Sequence, residues 1–439
     1  MEEQCMIKRS DSIGPEDFEK EICVAGWVQE VRNLGGISFL ILRDRSGLVQ
    51  VTAPKKKISP LLMEQISSVS RESVVSITGV VKASNQAKAG WELIPSLMNI
   101  LSEAKSPLPM GVVDKVSVEM DTRFNNRFMD LRKPEARAVF EIKDLALQLL
   151  SEYMRAHSFR EIFTPKLVAA GAEGGSSLFE VKYFDKKAFL AQSPQLYKQM
   201  MMSTGIDRIY EVGPAFRAEL SDTVRHVSEF ISFDAELAFI HTQEEVMLHL
   251  EGCMDYIFRG VEERGQKLLE KANAQLVVPK RPYPLLTYAE CIGILQQEGF
   301  AIKEGDDMGT EAEKLLGDIM MAKGQEMYFI KEFPEEAKPF YIMEKDFTPY
   351  SFSFDLDYRG QEMASGGQRE HRYDRLLARM QKKGLNAEDF NYYLSAFAYG
   401  MPPHGGWGLG IERLVVKMLN LQNIREAILF PRDRNRLVP

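Results

Sequence analysis

The stretch LAQSPQLYKQ, residues 190–199, carries glutamines, a serine and a lysine within a few positions of one another. Lys198 can hold a carboxylate as a point charge. Upstream, Glu173 precedes two glycines, which let the backbone approach a ligand closely. A solvated loop explains these residues taken alone, and a site for a small polar molecule is the alternative.

A second cluster is a predicted hairpin at residues 210–240. The first strand ends at Arg217, the polar loop carries Arg225 and His226, and the second strand returns through Phe230. Guanidinium groups match phosphate oxygens, and the phenylalanine ring can stack on a base. This pattern fits a polyphosphate site, and a surface ion-pair network with a core phenylalanine fits it equally well.

The third cluster is SFDLDYRGQEMASGGQREHRYDRL, residues 353–376. Asp355 and Glu362 offer the hard oxygen ligands that Mg²⁺ prefers. Ser365 and the two glycines after it allow close backbone approach to a ligand, and Arg369 can fork to a carboxylate. A charged hairpin without a ligand is the alternative.

The fourth cluster, residues 402–419, is a glycine-rich strand that leads into a helix beginning near Ile411. Arg413 falls in the first turn, where cations are disfavoured by the helix dipole. A bound anion explains this placement, as does simple exposure. Together the four clusters fit one task, which is to bind ATP with Mg²⁺ beside a small molecule that carries carboxylates.

The bulk composition limits the class of protein. The 439 residues are 45% hydrophobic and 27% charged, as in ordinary globular proteins, and the length predicts about two to four domains. The net charge of −8 disfavours non-specific coating of nucleic acid. No run of about 18 apolar residues predicts a membrane span, and the N-terminus does not read as a secretory signal. The four cysteines form no C-x-x-C pair, which suits a reducing cytoplasm and argues against zinc.

The predicted elements that must position these clusters fall into two groups. Closely spaced strands at 20–55, 73–84 and 91–102, with a helix at 58–70, predict a small Greek-key barrel of the oligonucleotide-binding type. A generic small β-domain is the alternative. From residue 134 onward, a long amphipathic helix (134–159) precedes strands and helices without strict β-α-β alternation, which indicates α+β with an antiparallel sheet.

The motifs, in this order, resemble those of the class II aminoacyl-tRNA synthetases of subclass b, and within them the aspartyl enzymes of the archaeal/eukaryotic type. VAGWVQEVRNLGGISFLILRDRSGLVQVT is similar to the anticodon-binding barrel of that family. The helix that runs on to Pro165 resembles motif 1, FRAE with the RHVSEF loop resembles motif 2, and GLGIERL resembles motif 3. LAQSPQLYKQ is similar to the aspartyl form of the amino-acid loop.

The resemblance covers nearly the whole chain and implies its fold. The expected fold class is α+β, with an N-terminal five-stranded OB-fold β-barrel and a class II catalytic domain built on an antiparallel β-sheet flanked by helices. The expected domains are the anticodon-binding barrel (1–103), a linker (104–133) and the catalytic domain (134–439), in which about 242–320 is mostly helical.

The resemblance also implies roles for the residues at matching positions. Three are expected to be catalytic: Arg217, Glu362 and Arg413. Those expected to bind the amino acid are Glu173, Ser193, Gln195, Lys198, Arg217, Asp234, Ser365 and Arg369. Those expected to bind ATP are Arg217, Ala218, Glu219, Arg225, His226, Val227, Phe230, Glu362, Gly410, Ile411, Glu412 and Arg413. The expected Mg²⁺ ligands are Glu362, Ser365 and Asp355. The expected anticodon contacts are Trp27, Gln29, Arg32 and Lys88, and Pro165 is expected at a dimer interface.

The implied activity is ATP-dependent activation of L-aspartate and its transfer to tRNA(Asp), by a cytoplasmic homodimer. Lys198 and Arg369 would clamp the side-chain carboxylate, and Asp234 would orient Lys198. Asparagine would be rejected because a neutral amide leaves buried positive charge unpaired. Gln29 differs from the aromatic or histidine residue of many relatives, so charging of tRNA(Asn) stays open.

Two further hypotheses come from other classes of function. One is a different ligase, either an asparaginyl-tRNA synthetase or a tRNA-independent enzyme similar to asparagine synthetase. QSPQLYK argues against the first, and the N-terminal barrel argues against the second. The other is a non-catalytic binding protein descended from a synthetase, which we expect to have lost Arg217, Glu362 or Arg413.

Overall fold

The computed structural model describes residues 6–113, 116–169, 171, 178–221 and 223–439. Contacts divide the chain into two compact units, Met1–Glu119 and Met120–Pro439. Each unit has a buried apolar core of its own. Within the described residues, none of the helices is both long enough and apolar enough to span a membrane.

The first unit is a closed five-stranded barrel that carries one helix. Its elements are β1 (Glu21–Asn33), β2 (Ile37–Arg43), β3 (Leu48–Pro54), α1 (Pro60–Ser68), β4 (Val74–Ala83) and β5 (Trp91–Ser102). The strands pair in the order β1-β2-β3-β5-β4, and β4 pairs again with β1 to close the barrel. The predicted five-stranded barrel with its single helix is therefore confirmed.

Local sequence explains how this barrel forms. Buried and half-buried residues alternate along β1 from Val24 to Val28, as expected for a strand with one face in the core. The pairing with β2 shifts between Val28 and Glu30, so Gln29 is the extra residue of a β-bulge, a feature that re-aims side chains. Helix α1 begins at Pro60, and the Ser59 hydroxyl caps it by accepting from a backbone N–H.

The second unit contains the remaining helices and strands. Its helices are α2 (Met120–Asn125), α3 (Arg127–Asp130), α4 (Pro134–Ala156), α5 (Gln195–Met201), α6 (Gln243–Arg264), α7 (Gln266–Lys271), α8 (Tyr288–Gln297), α9 (Thr310–Ala322), α10 (Tyr373–Lys382), α11 (Asn391–Ala398) and α12 (Ile411–Leu419). Its strands are β6 (Arg160–Glu161), β7 (Leu167–Val168), β8 (Glu180–Tyr183), β9 (Lys186–Leu190), β10 (Arg208–Phe216), β11 (Glu229–Ala238), β12 (Leu285–Thr287), β13 (Met327–Lys331), β14 (Ser353–Tyr358), β15 (Glu362–Gln368) and β16 (His404–Gly410).

Eight of these strands form one sheet in the order β12-β13-β14-β15-β16-β11-β10-β6, and β7-β9-β8 form a small second sheet. The six middle strands are antiparallel, as predicted. The outermost pairs, β12–β13 and β10–β6, are parallel, so the sheet is mixed. Parallel neighbours need a crossover connection, and the crossovers here run through α8 and α9 on one side and through the small sheet and α5 on the other.

The structure differs from the predicted linker, 104–133, from Met120 onward. Helices α2 and α3 occupy this part and belong to the second unit. Arg127 is 1% exposed and donates to the backbone carbonyls of Glu426, Ile428 and Leu429. These partners are about 300 residues away along the chain, which is why the local sequence reads as a linker.

A buried ion pair in the barrel unit yields a test of stability. Arg43 donates to both oxygens of Glu72, at 3.1 and 2.7 Å. Removing one partner of such a pair leaves the other charge buried and costs about 3–5 kcal/mol. We expect Glu72→Ala to lower the free energy of unfolding of the barrel by about 3 kcal/mol. Hydrogen exchange of barrel peptides in the intact chain measures this loss.

The control is Glu30→Ala, which removes the partner of Arg32 in the same barrel. That pair has similar geometry, at 2.8 and 2.7 Å, but lies at the surface. Solvent screens such pairs, so we expect no measurable change in exchange. Equal losses in the two variants would show that burial does not set the strength of the Arg43–Glu72 pair.

Candidate active site

A cavity of about 300 Å³ opens over strands β11, β15 and β16 of the second unit. The four sequence clusters converge on it, although they lie far apart along the chain. The predicted site residues that line the cavity are Ser193, Gln195, Lys198, Arg217, Glu219, Arg225, His226, Val227, Phe230, Asp234, Glu362, Ser365, Arg369, Gly410, Glu412 and Arg413.

Three predicted site residues are not among the described residues that line the cavity, and a fourth is not described. Ile411 is 2% exposed and packs in the apolar core, so the structure does not support its predicted contact with ATP. Asp355 does not line the cavity, and both of its oxygens accept from Lys338, which does line it, at 3.0 and 2.9 Å. Ala218 does not line the cavity either. Glu173 lies outside the described residues.

One end of the cavity is built on a buried charge network of Lys198, Asp234, Glu236 and Arg369. The Lys198 ammonium donates to Asp234 Oδ1 and to the Trp407 carbonyl, both at 3.0 Å, and lies 3.5 Å from Glu236 Oε2. Arg369 forks onto both oxygens of Glu236, at 2.9 and 3.2 Å. Two positive and two negative groups therefore balance one another inside the protein.

The network favours the ionised form of Glu236 and leaves hydrogen-bond donors unused. Burial alone would raise the pKa of Glu236, but Arg369 and Lys198 outweigh it and hold the pKa below its ordinary value. Lys198 has three N–H groups and its described bonds use two, while Arg369 has five and uses two. The remaining N–H groups can only donate, so the part of the cavity beside Lys198 and Arg369 suits a ligand group that only accepts.

Glycines on β16 make room for the network. Gly406 pairs with Glu236 and Gly408 with Asp234 across the two strands. A Cβ at Gly406 would lie 2.1 Å from Glu236 Oε2 and 2.0 Å from the Ala235 carbonyl. The glycine-rich strand noted in the sequence therefore lets two carboxylates lie against the backbone of β16.

Behind the network, a chain of neutral hydrogen bonds runs from Gln195 to His404. Gln195 Nε2 donates to Gln199 Oε1 at 2.9 Å, which also accepts from the Tyr393 hydroxyl at 3.1 Å. Gln199 Nε2 lies 3.0 Å from His404 Nε2, and His404 Nδ1 lies 2.8 Å from the Pro402 carbonyl. Burial lowers the pKa of His404 to about 4.

This chain fixes the direction of every donor in it. The Pro402 carbonyl can only accept, so the neutral His404 ring carries its hydrogen on Nδ1. Its Nε2 then accepts from the Gln199 amide, which turns Gln199 Oε1 toward Gln195. The Gln195 amide must donate to it with Nε2, and its own carbonyl oxygen is left for the cavity.

The other end of the cavity is rich in cations. Arg413 lies 3.5 Å from Glu362, and Arg225 lies 3.9 Å from Glu313 on α9. The Arg217 guanidinium lies over the Phe230 ring, 5.3 Å from its centroid. Arginines in such positions match the oxygens of a polyphosphate.

Glu412 and the loop between β10 and β11 are held by structural contacts. Glu412 accepts from Lys143 at 2.6 Å and from the Ile231 backbone at 2.9 Å, which ties α12 to α4 and β11. Arg425 donates to the Thr223 carbonyl at 3.0 Å, which holds the loop against the C-terminal segment. The position of the cations therefore depends on contacts that are distant in sequence.

Carboxyl groups gather below this cationic end. Burial and the neighbouring Glu362 raise the pKa of Glu313 to about 7, although Arg225 opposes the shift. Burial and the nearby Asp355 raise the pKa of Asp357 well above its ordinary value. Within the described part of the chain, no group of three or more His, Cys, Asp or Glu side chains is placed to hold a metal by itself.

The predicted contacts outside the cavity lie as follows. Trp27 and Gln29 are half-buried on β1. Arg32 is exposed and forks onto Glu30, and Lys88 is exposed in the turn before β5. Pro165 is exposed between β6 and β7.

Two family descriptions match the sequence. "OB-fold nucleic acid binding domain" matches residues 22–101, which contain the barrel. "tRNA synthetases class II (D, K and N)" matches residues 119–434, which contain the cavity and most of the second unit.

The chain belongs to the class II tRNA synthetases.

Individual members of this family are similar over nearly their whole length. The aspartate–tRNA(Asp) ligase of Pyrococcus abyssi is 51% identical over 432 residues, which are 98% of this chain and 99% of that protein. The aspartate–tRNA(Asp/Asn) ligase of Methanopyrus kandleri is 46% identical over 97% and 98% of the two chains. The structure of asparaginyl-tRNA synthetase from Pyrococcus horikoshii, complexed with asparaginyl-adenylate, is 32% identical with a TM-score of 0.92, and the match covers 99% of this chain and 100% of that one.

Several residues that build this site have no role predicted from the sequence. Glu236 completes the charge network, and the alternation of Asp234 and Glu236 on one face of a predicted strand was a signal for it. Gln199 and His404 were within quoted motifs but had no assigned role. Lys338 and Glu313 lie outside all four clusters, and no local pattern pointed to them.

The neutral hydrogen-bond chain predicts an effect on the amino acid but not on ATP. His404→Leu removes the acceptor of the Gln199 amide, so Gln199 no longer fixes the orientation of Gln195. Loss of one such bond is worth roughly tenfold in affinity. We expect the KM for the amino acid in ATP–pyrophosphate exchange to rise about tenfold, with the KM for ATP unchanged.

The control is His241→Leu, because His241 is exposed and its side chain lies in no described hydrogen bond. We expect wild-type kinetics from it. A uniform loss of activity in His404→Leu, with both KM values changed together, would mean that His404 only supports packing.

Glu313 predicts a dependence of stability on pH. Its folded pKa of about 7 lies above the ordinary value of 4.5, so the folded chain holds a proton that the unfolded chain releases. Relative to Glu313→Gln, the wild type therefore loses stability as pH rises from about 4.5 to about 7, and the difference is constant above that. We expect Glu313→Gln to be more stable by about 2–3 kcal/mol at pH 8 and equal to wild type near pH 4.

Chemical denaturation of both proteins at the two pH values, followed by circular dichroism, measures this difference. Glu311→Gln in the same helical turn is the control, since Glu311 is exposed. If Glu313→Gln gave the same offset at both pH values, the carboxyl would not titrate in this range.

Proposed function

We propose that this synthetase is an aspartate–tRNA ligase, which activates L-aspartate with ATP and transfers it to tRNA(Asp). The observation that carries the proposal is the buried charge network, whose unused Lys198 and Arg369 groups are all donors. A side-chain carboxylate accepts on both oxygens and satisfies such a site. An asparagine amide would turn an NH₂ group toward donors, which costs a buried hydrogen bond on each side.

From the sequence, asparagine is expected to be rejected because a neutral amide would leave buried positive charge unpaired. In the structure, Lys198 and Arg369 are paired, because Asp234 and Glu236 already neutralise their charges. Rejection of asparagine therefore rests on the count of donors and acceptors rather than on uncompensated positive charge. We place Asp234 and Glu236 as positioning residues that aim Lys198 and Arg369.

The comparisons support the choice of aspartate. Relatives named for aspartate are about half identical to this chain, whereas the structurally similar asparaginyl enzyme is 32% identical. The shared fold alone does not favour either amino acid. The barrel that matches an OB-fold nucleic acid binding domain argues against a ligase that acts without tRNA.

ATP with Mg²⁺ is proposed for the cationic end of the cavity. Arg217 would hold the α-phosphate, Phe230 would stack on adenine, and Arg225 with Arg413 would hold the β- and γ-phosphates. The donor set fits Mg²⁺, which is usually held by one or two carboxylates together with waters and substrate phosphates. Glu362 and Ser365 line the cavity and would hold it, where it would offset phosphate charge. Asp355, whose oxygens are bound by Lys338, stays a predicted ligand.

Catalysis in this proposal is positioning and charge stabilisation. The α-carboxylate of aspartate forms a bond to the α-phosphorus, and the bond to pyrophosphate breaks with the electron pair leaving on pyrophosphate. Arg217 stabilises the charge that develops on the α-phosphate, and Gln195 holds the substrate ammonium. The terminal ribose hydroxyl of the tRNA then attacks the aspartyl-adenylate and releases AMP.

The tRNA and the second subunit are proposed on the resemblance. Trp27, Gln29, Arg32 and Lys88 stay predicted anticodon contacts, and Gln29 lies at the bulge of β1. A homodimer would cover the segment around Pro165, where Phe163 is 80% exposed. Action in the cytoplasm stays a prediction.

The test is charging of purified tRNA(Asp) and tRNA(Asn) transcripts with labelled aspartate and, separately, labelled asparagine. We expect aspartate on tRNA(Asp) and no asparagine on either transcript. Lys198→Met removes a donor that faces the carboxylate, so we expect kcat/KM for aspartate to fall by a hundredfold or more, roughly the effect of losing a charged hydrogen bond.

The matched control is Lys187→Met, because Lys187 is exposed and pairs only with Glu180 in the described contacts. Aspartate on tRNA(Asn) as well would extend the substrate range to both tRNAs. Failure to charge either transcript with aspartate, by a wild-type protein that is folded, refutes the proposed function.

A further inference from the structure

A second cavity of about 240 Å³ adjoins the cationic end of the active site. Arg225, Arg413 and Ile424 line both cavities. A water takes about 30 Å³ in the liquid, so this space exceeds a site for one or two waters. The two arginines therefore form a shared wall with a further compartment behind it.

The second cavity offers positive charge and hydrogen-bonding amides. Among the described residues that line it, the charged side chains are Arg225, Arg413 and Lys417, and all three are cations. The other polar lining residues are Gln361, Asn420 and Gln422. Such a lining suits an anion with several oxygens.

Lys417 belongs to this cavity and does not line the first one. It is half-buried on α12 and donates to the Arg359 carbonyl at 3.1 Å. Burial, and after it the proximity of Arg225 and Arg359, lowers the pKa of Lys417. The helix dipole explains a lysine in the last turn of α12, and Arg225 and Arg413 add two further cations to the lining of the same cavity.

We propose that the second cavity binds inorganic pyrophosphate after it has left the α-phosphorus, with Lys417 as its specific cation. The proposal rests on the proposed function, in which pyrophosphate is the first product. Because Arg225 and Arg413 face both cavities, the diphosphate can shift from one to the other and keep its guanidinium contacts. Once the bond to the α-phosphate has broken, Lys417 provides the cation for the freed end of the pyrophosphate.

The experiment is titration of the full-length protein with pyrophosphate and, separately, with ATP, by calorimetry and without amino acid. Lys417→Met keeps the length of the side chain and removes its charge. We expect the Kd for pyrophosphate to rise on the order of tenfold, as for loss of a charged hydrogen bond, and the Kd for ATP to stay within about twofold. In ATP–pyrophosphate exchange, the KM for pyrophosphate should rise similarly.

The matched control is Lys383→Met. Lys383 also donates to a backbone carbonyl, that of Glu336 at 2.7 Å, but it is exposed and is not among the described residues that line either cavity. A second variant, Gln422→Glu, adds a negative charge to the second cavity at an exposed position. It should weaken pyrophosphate binding even if Lys417→Met fails to fold.

Each outcome decides the proposal. Weaker binding of pyrophosphate but not of ATP in Lys417→Met and Gln422→Glu supports it. Equal weakening of both ligands assigns the cavity to the β- and γ-phosphates of bound ATP and overturns it, as does unchanged binding of pyrophosphate. Because these titrations need no aspartate, they stand apart from the test of the proposed function.

Discussion

Four charged side chains with almost no access to water determine how the active-site sheet is built. Lys198, Asp234, Glu236 and Arg369 are each at most 4% exposed, so each charge is tolerable only because the others are in place. The network requires two acids on one face of β11, a helix that begins just before Lys198, and glycines opposite the acids on β16. This requirement explains why β11 carries two acids on one face and why β16 is rich in glycine.

The network also divides the cavity into two electrostatic regions. At its own end the charges cancel, and the Gln195–Gln199–His404 chain behind it is neutral throughout. At the other end, Arg217, Arg225 and Arg413 line the cavity beside Glu362, and burial is the largest cause that raises the pKa of Glu362 and of the neighbouring Glu313. A zwitterionic amino acid and a polyphosphate therefore find opposite conditions a short distance apart, and each is held by different elements.

The sequence predicted those parts of the fold and site that rest on local pattern. Strand-like runs predicted the five-stranded barrel, and helical spacing predicted α1 and α4. Sixteen of the residues assigned through the family resemblance line one cavity, because their motifs are contiguous stretches that fold as units. The resemblance did more here than composition, since each cluster taken alone had an equally good explanation without a ligand.

The parts that escaped prediction depend on contacts between distant segments. Arg127 converts a predicted linker into helices by binding carbonyls near the C-terminus. The parallel pairs at both sheet edges follow from crossovers whose ends cannot be matched from one sequence. Lys338 lies 17 residues before its partner Asp355 in the sequence but donates to it at 3.0 Å in the structure. His404 was quoted as part of a glycine-rich motif, yet its role depends on Gln199, about 200 residues earlier.

Lys198 uses two of its three N–H groups in hydrogen bonds to the protein, and this limits what the cavity can recognise. Asp234 and Glu236 already balance the charges of Lys198 and Arg369, so the site does not select a ligand by its charge alone. It distinguishes ligands by whether the side-chain group that faces Lys198 and Arg369 carries a hydrogen of its own. By that criterion an amide and a protonated carboxyl are both disfavoured, because each carries a hydrogen that would face a donor. A synthetase built in this way would select its substrate by the number of hydrogen-bond acceptors and hydrogens on the side-chain group that it binds.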